Sequence, residues 1–339
     1  MDPALAPLFQ TPSQHFFAFD ADTATFVGMG RLAYHRSIFL DRRLISDGNA
    51  ARVQPIAPLL KAAEDVKPAS TGWIFHIAHC GSTLLARLID QPEAGLILRE
   101  PPPLRQLGVS HARGDASAAW QARLNLAHVM VARRFDPAQP TIVKANVPVN
   151  FILPQLIERE ANAPTLLLYF ALQPYLLAVL RSPGHRNWVD RVTDQLAPAL
   201  AVRVGLRPHA ATAERAAALW LAQMLMFDAA LAANPAARSL DAEMLFANPE
   251  KVARAAAHHF SLSSAGLDAN LHALLSSNAK DPTQAFDNSA RRARQAKDLG
   301  LLQKDLDTAR HWIMQTITQD ILPDTLVRPL IGTSPSLLG

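Results

Sequence analysis

Residues 73–89 place three local patterns end to end, and these constrain the fold more than anything else in the chain. WIFHI (73–77) is an apolar run of buried-strand length, and AHCGS (78–82) is a small-residue loop. The following segment carries Leu84, Leu85, Leu88 and Ile89 at helical spacing, with Arg87 on another face. A strand, a glycine-containing loop and a helix in that order form the opening unit of a phosphate-binding α/β fold. The start of such a helix presents unpaired N–H groups and a partial positive charge, so it holds phosphate without a charged side chain. Gly81 lets the backbone approach a ligand, and Ser82 and Thr83 add hydroxyl donors. The plainer reading of Ser82 is a helix cap.

Further units follow. LILRE (96–100) reads as a second strand ended by three prolines, 118–135 as a helix, and TIV (141–143) as a strand directly before Lys144. NFILPQLIERE reads as the next helix and TLLLYF (165–170) as another buried strand, with a mainly helical chain from 190 to a polar-faced stretch near 290–320. Short β-α-β units of this kind predict an α/β fold with a mostly parallel sheet covered on both faces. Ahead of them, HFFAFDADTATFVGMG predicts a hairpin turning at Asp20-Ala21-Asp22, and IFLDRRL and PIAPLLKAAEDV read as helices. The expected division is an N-terminal appendage over 1–70 and an α/β domain over 71–330, with GTSPSLLG at the end loose.

Composition excludes several classes. With 339 residues, 49% hydrophobic and 18% charged, the chain is globular. A net charge of +4 suits an anionic small ligand, and with no arginine-rich tail or zinc-finger spacing nucleic acid is not expected. Cys80 is the single cysteine, so no intramolecular disulfide can form. The first residues lack a signal-peptide pattern, and the longest apolar stretch, around 163–180, is broken by Gln173 and Pro174. The expectation is a cytoplasmic protein with no membrane partner; a homodimer is compatible with the sequence. His76, His79 and Cys80 make H-x-x-H-C, but strand alternation does not aim both histidines at one point, so no metal is expected. Cys80 is either a thiol activated by the helix start or a small loop residue. His258 and His259 read as structural, and Glu243 as a loop organiser.

The loop is not a Walker A motif: the first glycine and the lysine are both missing, which counts against ATP or GTP hydrolysis. FHIAHCGSTLLARLID instead resembles the 5′-phosphosulfate loop of the sulfotransferase superfamily, which often reads R-S-G-[ST]-T-L-L there. LILREP is similar to the segment where tyrosylprotein sulfotransferases carry a glutamate base, IVKANVPVN to their strand-then-K-x-P segment, and SLDAEMLFANPEKVARAAAHHFSLS to the late y-E-d-L-x-x-d-P block, through Glu243, Leu245 and Pro249. These segments cover 73–262 loosely, in family order.

The resemblance implies a three-layer P-loop-type fold with a small N-terminal β-appendage and a helical C-terminal part. It implies sulfuryl transfer from 3′-phosphoadenylyl sulfate to an acceptor hydroxyl or amine, with no metal required. Glu100 would be the base, Lys144 would reach the transferred group, and His79 would stand beside the leaving phosphate. Cys80, Gly81, Ser82, Thr83 and Leu84 would hold the 5′-phosphate. Three positions depart from the family. His79 stands where lysine or arginine is usual, Leu172 where an arginine binds the 3′-phosphate, and Val179 near the expected serine. Either Arg181, His185 or Arg186 supplies that charge from a shifted position, or the donor differs. The other readings are a nucleotide-dependent kinase and a non-catalytic member of the fold. The 101–103 prolines, the 182–205 region and the N-terminal hairpin are expected to shape the acceptor pocket.

Overall fold

The computed structural model describes residues 2–46, 51–275, 288–317 and 322–339. Two sheets organise it. The smaller is antiparallel in the order β1 (Gln14–Phe19), β2 (Thr23–Gly28), β3 (Ala51–Pro55). Asp20 makes the hairpin turn by accepting the N–H groups of Asp22 and Thr23 at 2.9 and 2.7 Å. β3 was not anticipated; ARVQP is an exposed edge strand, with Val53 62% exposed, and only pairing with β2 makes it a strand. Of IFLDRRL, only a turn at Arg43–Ser46 is helical.

The larger sheet contains β4 (Thr71–His76), β5 (Leu96–Arg99), β6 (Thr141–Lys144), β7 (Thr165–Tyr169) and β8 (Ala237–Asp241), all parallel, in the order β5-β6-β4-β7-β8. Every residue of β4 to β7 is buried, as strands covered by helices on both faces must be. This is an α/β fold with a parallel five-stranded sheet and a largely helical C-terminal part. From central β4 the chain runs to the far edge at β5, returns to β6, then crosses to β7 and β8. The order therefore reverses beside β4, and ligands of open parallel sheets bind outside the carboxyl ends of the strands at such a switch point.

Three other expectations are corrected. The prolines after Glu100 do not merely end a strand: they open the helix Pro102–Ala112, where a missing N–H costs nothing. β8 lies inside the late block, and ARSLD has too little apolar alternation to announce a strand. The C-terminal segment is not loose. Leu337 is fully buried, donates its N–H to the Asp324 carbonyl at 2.7 Å and accepts the Leu172 N–H at 2.8 Å. Ser239 of β8 pairs with the same segment, donating its N–H to Arg328 O at 3.0 Å and accepting from Leu330 at 2.7 Å.

The helix Thr212–Ala233 is long and apolar enough to cross a membrane by length and composition. In this fold most of it is buried, against the helices Leu172–Leu180, Pro183–Val204 and Gln303–Thr316, and Trp220 donates its indole N–H to Phe170 O at 2.9 Å. The polar-faced stretch near 290–320 is two helices, Asn288–Leu301 and Gln303–Thr316; residues 318–320 lie outside the described residues.

The N-terminal part packs directly on the large sheet's layers. The buried Arg133 guanidinium donates to the carbonyls of Leu8, Thr11 and Gln14 at 2.6, 3.0 and 2.9 Å. Gln106 pairs with both backbone groups of Phe19. Arg99, also buried, binds the carbonyls of Tyr34, His35 and Ser37 and ion-pairs with Asp90, while Leu40 donates its N–H to Arg99 O at 3.0 Å. These bonds dock residues 34–40 across the end of β5.

Candidate active site

The chain after β4 turns sharply. Ala78, His79 and Gly81 have φ of 68°, 52° and 83°, three left-handed residues within four. For the two non-glycines this conformation is costly, of the kind found at ligand-binding loops. The Ala78 N–H is taken up by His76 Nδ1 at 3.0 Å, which makes Nδ1 the acceptor and leaves the proton of a neutral ring on Nε2. Gly81 is required twice over. Its φ suits glycine, and a Cβ there would stand 2.8 Å from Phe246 and 3.1 Å from Leu245. The close approach at Gly81 is thus to the late block rather than to a ligand. Phe246 carries the Arg291 guanidinium 4.3 Å above its ring, and Arg291 ion-pairs with Glu243. Burial raises the Glu243 carboxyl, and the Arg291 hydrogen bond and charge bring it below its ordinary value.

Of the loop residues, Ser82 and Thr83 line a cavity of about 200 Å³ at the carboxyl ends of the strands. Among the described residues neither hydroxyl makes a hydrogen bond. Cys80 faces the other way, fully buried with Sγ 3.8 Å from Leu168 O, and burial pushes its thiol up to about 12. It is a small loop residue and not an activated thiol. The Leu84 side chain lies in the core, so only its backbone could serve a ligand.

Glu100 follows β5 with φ 62°, and its N–H donates to Lys144 O at 2.7 Å, extending the β5–β6 ladder by one bond. Its carboxylate ion-pairs with Lys144 Nζ and lies 3.7 Å from His76 Nε2. The two partners differ in exposure: the Glu100 side chain is 25% exposed and that of Lys144 is 1%. Glu100 opens on the cavity, whereas Lys144 stands behind it, its Nζ 5.4 Å from the Phe39 ring centroid. The structure brings the expected pair together but presents only the carboxylate to a ligand.

His79 lines the cavity with its ring centroid 4.5 Å from that of His185 and 5.0 Å from that of Trp188. His185 in turn meets Ser182 Oγ at 2.5 Å and Arg181 at 3.2 Å. Arg181 thus reaches the cavity-lining His79 by way of His185, and burial lowers its guanidinium. Arg186 is committed to Asp305 at 2.6 Å. Leu172 and Val179 are buried, and the Leu172 N–H is taken by Leu337 of the C-terminal segment. His259 donates its Nε2–H to Thr165 O, 3.2 Å away. Among the described residues no group of three or more His, Cys, Asp and Glu side chains could hold a metal.

Other lining residues escaped the sequence reading. Phe39 comes from the docked 34–40 segment rather than the hairpin, and Arg105 lies one turn into the helix opened by the prolines. Asn146 contributes an amide whose Oδ1 is buried without a hydrogen-bond partner among the described residues. Trp188 and Val192 come from the expected 182–205 region. The position of Arg105 after PPPL was the one available signal: six residues past the end of β5, on the first turn of a new helix, a side chain lies close to the crevice at the strand ends.

No family model matches the chain. No curated protein matches it either. Among solved structures it is similar to the sulfotransferase domain from the curacin biosynthetic pathway, with a TM-score of 0.38 and 13% identity over 70% of this chain and 98% of that one. Likeness at this level carries no residue correspondence.

Proposed function

We propose that the protein is a sulfotransferase-like enzyme that moves a sulfuryl group from a phosphosulfate nucleotide to an acceptor hydroxyl or amine. The observation that carries this reading is a single cavity at the switch point holding both a carboxylate, Glu100, and two unengaged hydroxyls at a helix start, Ser82 and Thr83. Sulfuryl transfer needs both: a base for the acceptor proton and donors for the charge growing on the leaving phosphate.

In this scheme the acceptor oxygen or nitrogen forms its bond to sulfur as the bond from sulfur to the bridging oxygen breaks. The proton passes to Glu100 and the electron pair stays on the leaving phosphate. Ser82, Thr83 and the N–H groups that follow receive that phosphate, and the His79 imidazole can add one hydrogen bond. Lys144 acts through Glu100, supplying the cation that keeps the carboxylate aimed at the cavity. The hydroxyls fit a phosphosulfate end, and 3′-phosphoadenylyl sulfate is the donor the loop suggests. Its 3′-phosphate, though, meets no cation at 172 or 179 and must rely on Arg181 or on displacement of the C-terminal segment.

That segment also favours a second reading, in which the fold binds a ligand without turnover. Titration of the protein with adenosine 3′,5′-bisphosphate, adenosine 5′-phosphosulfate and MgATP separates the two. Binding of the bisphosphate, weakened at least tenfold by Thr83→Ala, supports the transferase. Preference for the phosphosulfate changes the donor, preference for MgATP restores the kinase, and binding of none refutes the transferase.

A further inference from the structure

Among the described residues, the cavity contains a cation in no ion pair. Arg105 is partly buried, and one of its terminal nitrogens donates to Gln195 Oε1 at 2.5 Å. Among the described residues no carboxylate lies within ion-pair distance of it, because Glu100, the acid on the same cavity, is engaged by Lys144. Burial and the charge of Arg191 act against the Arg105 cation, and only the Glu100 charge favours it. A guanidinium does not shed its proton to escape desolvation, so a half-buried one is completed by an anion.

The surroundings bound what carries that anion. Phe39, Trp188 and Val192 give the cavity an apolar side, and aromatic walls favour a flat ring. At about 200 Å³ it exceeds by a little the ~150 Å³ apolar cavity that accepts benzene. One six-membered ring with small substituents fits beside Arg105; a fused polycycle does not. Position separates Arg105 from the donor end. Its helix follows edge strand β5, which stands two strand spacings, about 10 Å, from β4, whose following loop would receive phosphate.

We infer that the site takes a monocyclic hydroxyaryl carboxylate as its acceptor, with the carboxylate on Arg105, the ring between Phe39 and Trp188, and the hydroxyl toward Glu100. This rests on the transferase reading for the word acceptor, but not for the binding itself.

The test is calorimetric titration of the full chain with 4-hydroxybenzoate, 4-hydroxybenzyl alcohol and adenosine 3′,5′-bisphosphate, for the wild type, Arg105→Gln and Arg105→Lys. The wild type should bind the acid at least tenfold more tightly than the alcohol. Arg105→Gln should erase that preference while changing the affinities for the alcohol and the bisphosphate less than twofold, and Arg105→Lys should keep part of it. Equal binding of acid and alcohol by the wild type, or binding of neither, overturns the inference even if the Gln variant fails to fold. So does an Arg105→Gln variant that loses the bisphosphate and keeps the acid, because Arg105 then serves the donor. Acid binding without sulfuryl transfer would sink the transferase and leave the anion site standing. Transfer to neutral phenols with no preference for the acid would do the reverse.

Discussion

Gly108→Ala tests how closely the helix carrying Arg105 rests on the segment Val147–Ile152. A Cβ at Gly108 would lie 2.3 Å from Pro148 O, 2.6 Å from Pro148 C and 3.1 Å from Val149 N, all backbone atoms. To restore ordinary contact at 3.4 Å, the helix Pro102–Ala112 must retreat by about 1 Å, and close-packed interiors resist such shifts. Overpacking costs roughly 1–3 kcal/mol, and a backbone neighbour puts this site at the upper end. Alanine regains about 1 kcal/mol of helix propensity over glycine. The net expectation is a loss of about 2 kcal/mol, or a fall in Tm of roughly 3 °C for a chain of this size. Gly300 is the matched control, a helical glycine with nothing within 4 Å of the added carbon, where Gly300→Ala should gain about 0.5–1 kcal/mol. Urea and thermal unfolding of both variants measure the contrast. A Gly108→Ala protein as stable as the wild type, or both variants shifting alike, would refute the reasoning. Because Arg105 and Pro148 both line the cavity, the same retreat should also weaken 4-hydroxybenzoate binding.

The Glu100–Lys144 pair and the buried histidines yield two more expectations. Glu100→Gln strands the buried Lys144 ammonium and should cost about 3 kcal/mol, the low end for a broken buried pair because Glu100 is partly exposed; Glu100→Gln with Lys144→Met should recover most of it. Urea unfolding decides, and a stable single variant would show that the pair contributes little. Burial lowers His15 to about 3 and His128 to about 4, while burial raises Asp241 to about 6. A histidine depressed in the fold contributes stability that is complete above its unfolded value of 6.5 and is lost on acidification toward the folded value. Asp241 acts oppositely, opposing the fold increasingly as pH rises from 4 to 6. These two histidines against this aspartate contribute a net fall of up to ~1.4 kcal/mol per pH unit below pH 6.5, and His128→Leu should reduce the slope by about that amount. Unfolding free energies measured between pH 7 and 5 that keep the same slope in His128→Leu would contradict the assignment.

Local periodicity made much of this protein legible. The apolar runs of β4, β6 and β7 and the Leu84-to-Ile89 stripe are set by residues a few positions apart, so a window of sequence contains their cause. The Asp20 turn is likewise self-contained. β3, β8 and the seat of the C-terminal segment were not legible, because each takes its conformation from a partner far along the chain: β2 for ARVQP, β7 for ARSLD, and Ser239 and Leu172 for the tail. The site divides in the same way. The sequence by itself determined that a glycine loop, a glutamate and a lysine would gather at the strand ends, since parallel strands followed by helices leave their carboxyl ends on one edge. Only the tertiary structure decided that Glu100 reaches the cavity while Lys144 stays behind it. That depends on a left-handed backbone at Glu100 and on Phe39, carried in by a segment docked through Arg99. Arg105 and Trp188 line one cavity for the same reason: chain crossovers, not neighbours in sequence, place their helices there.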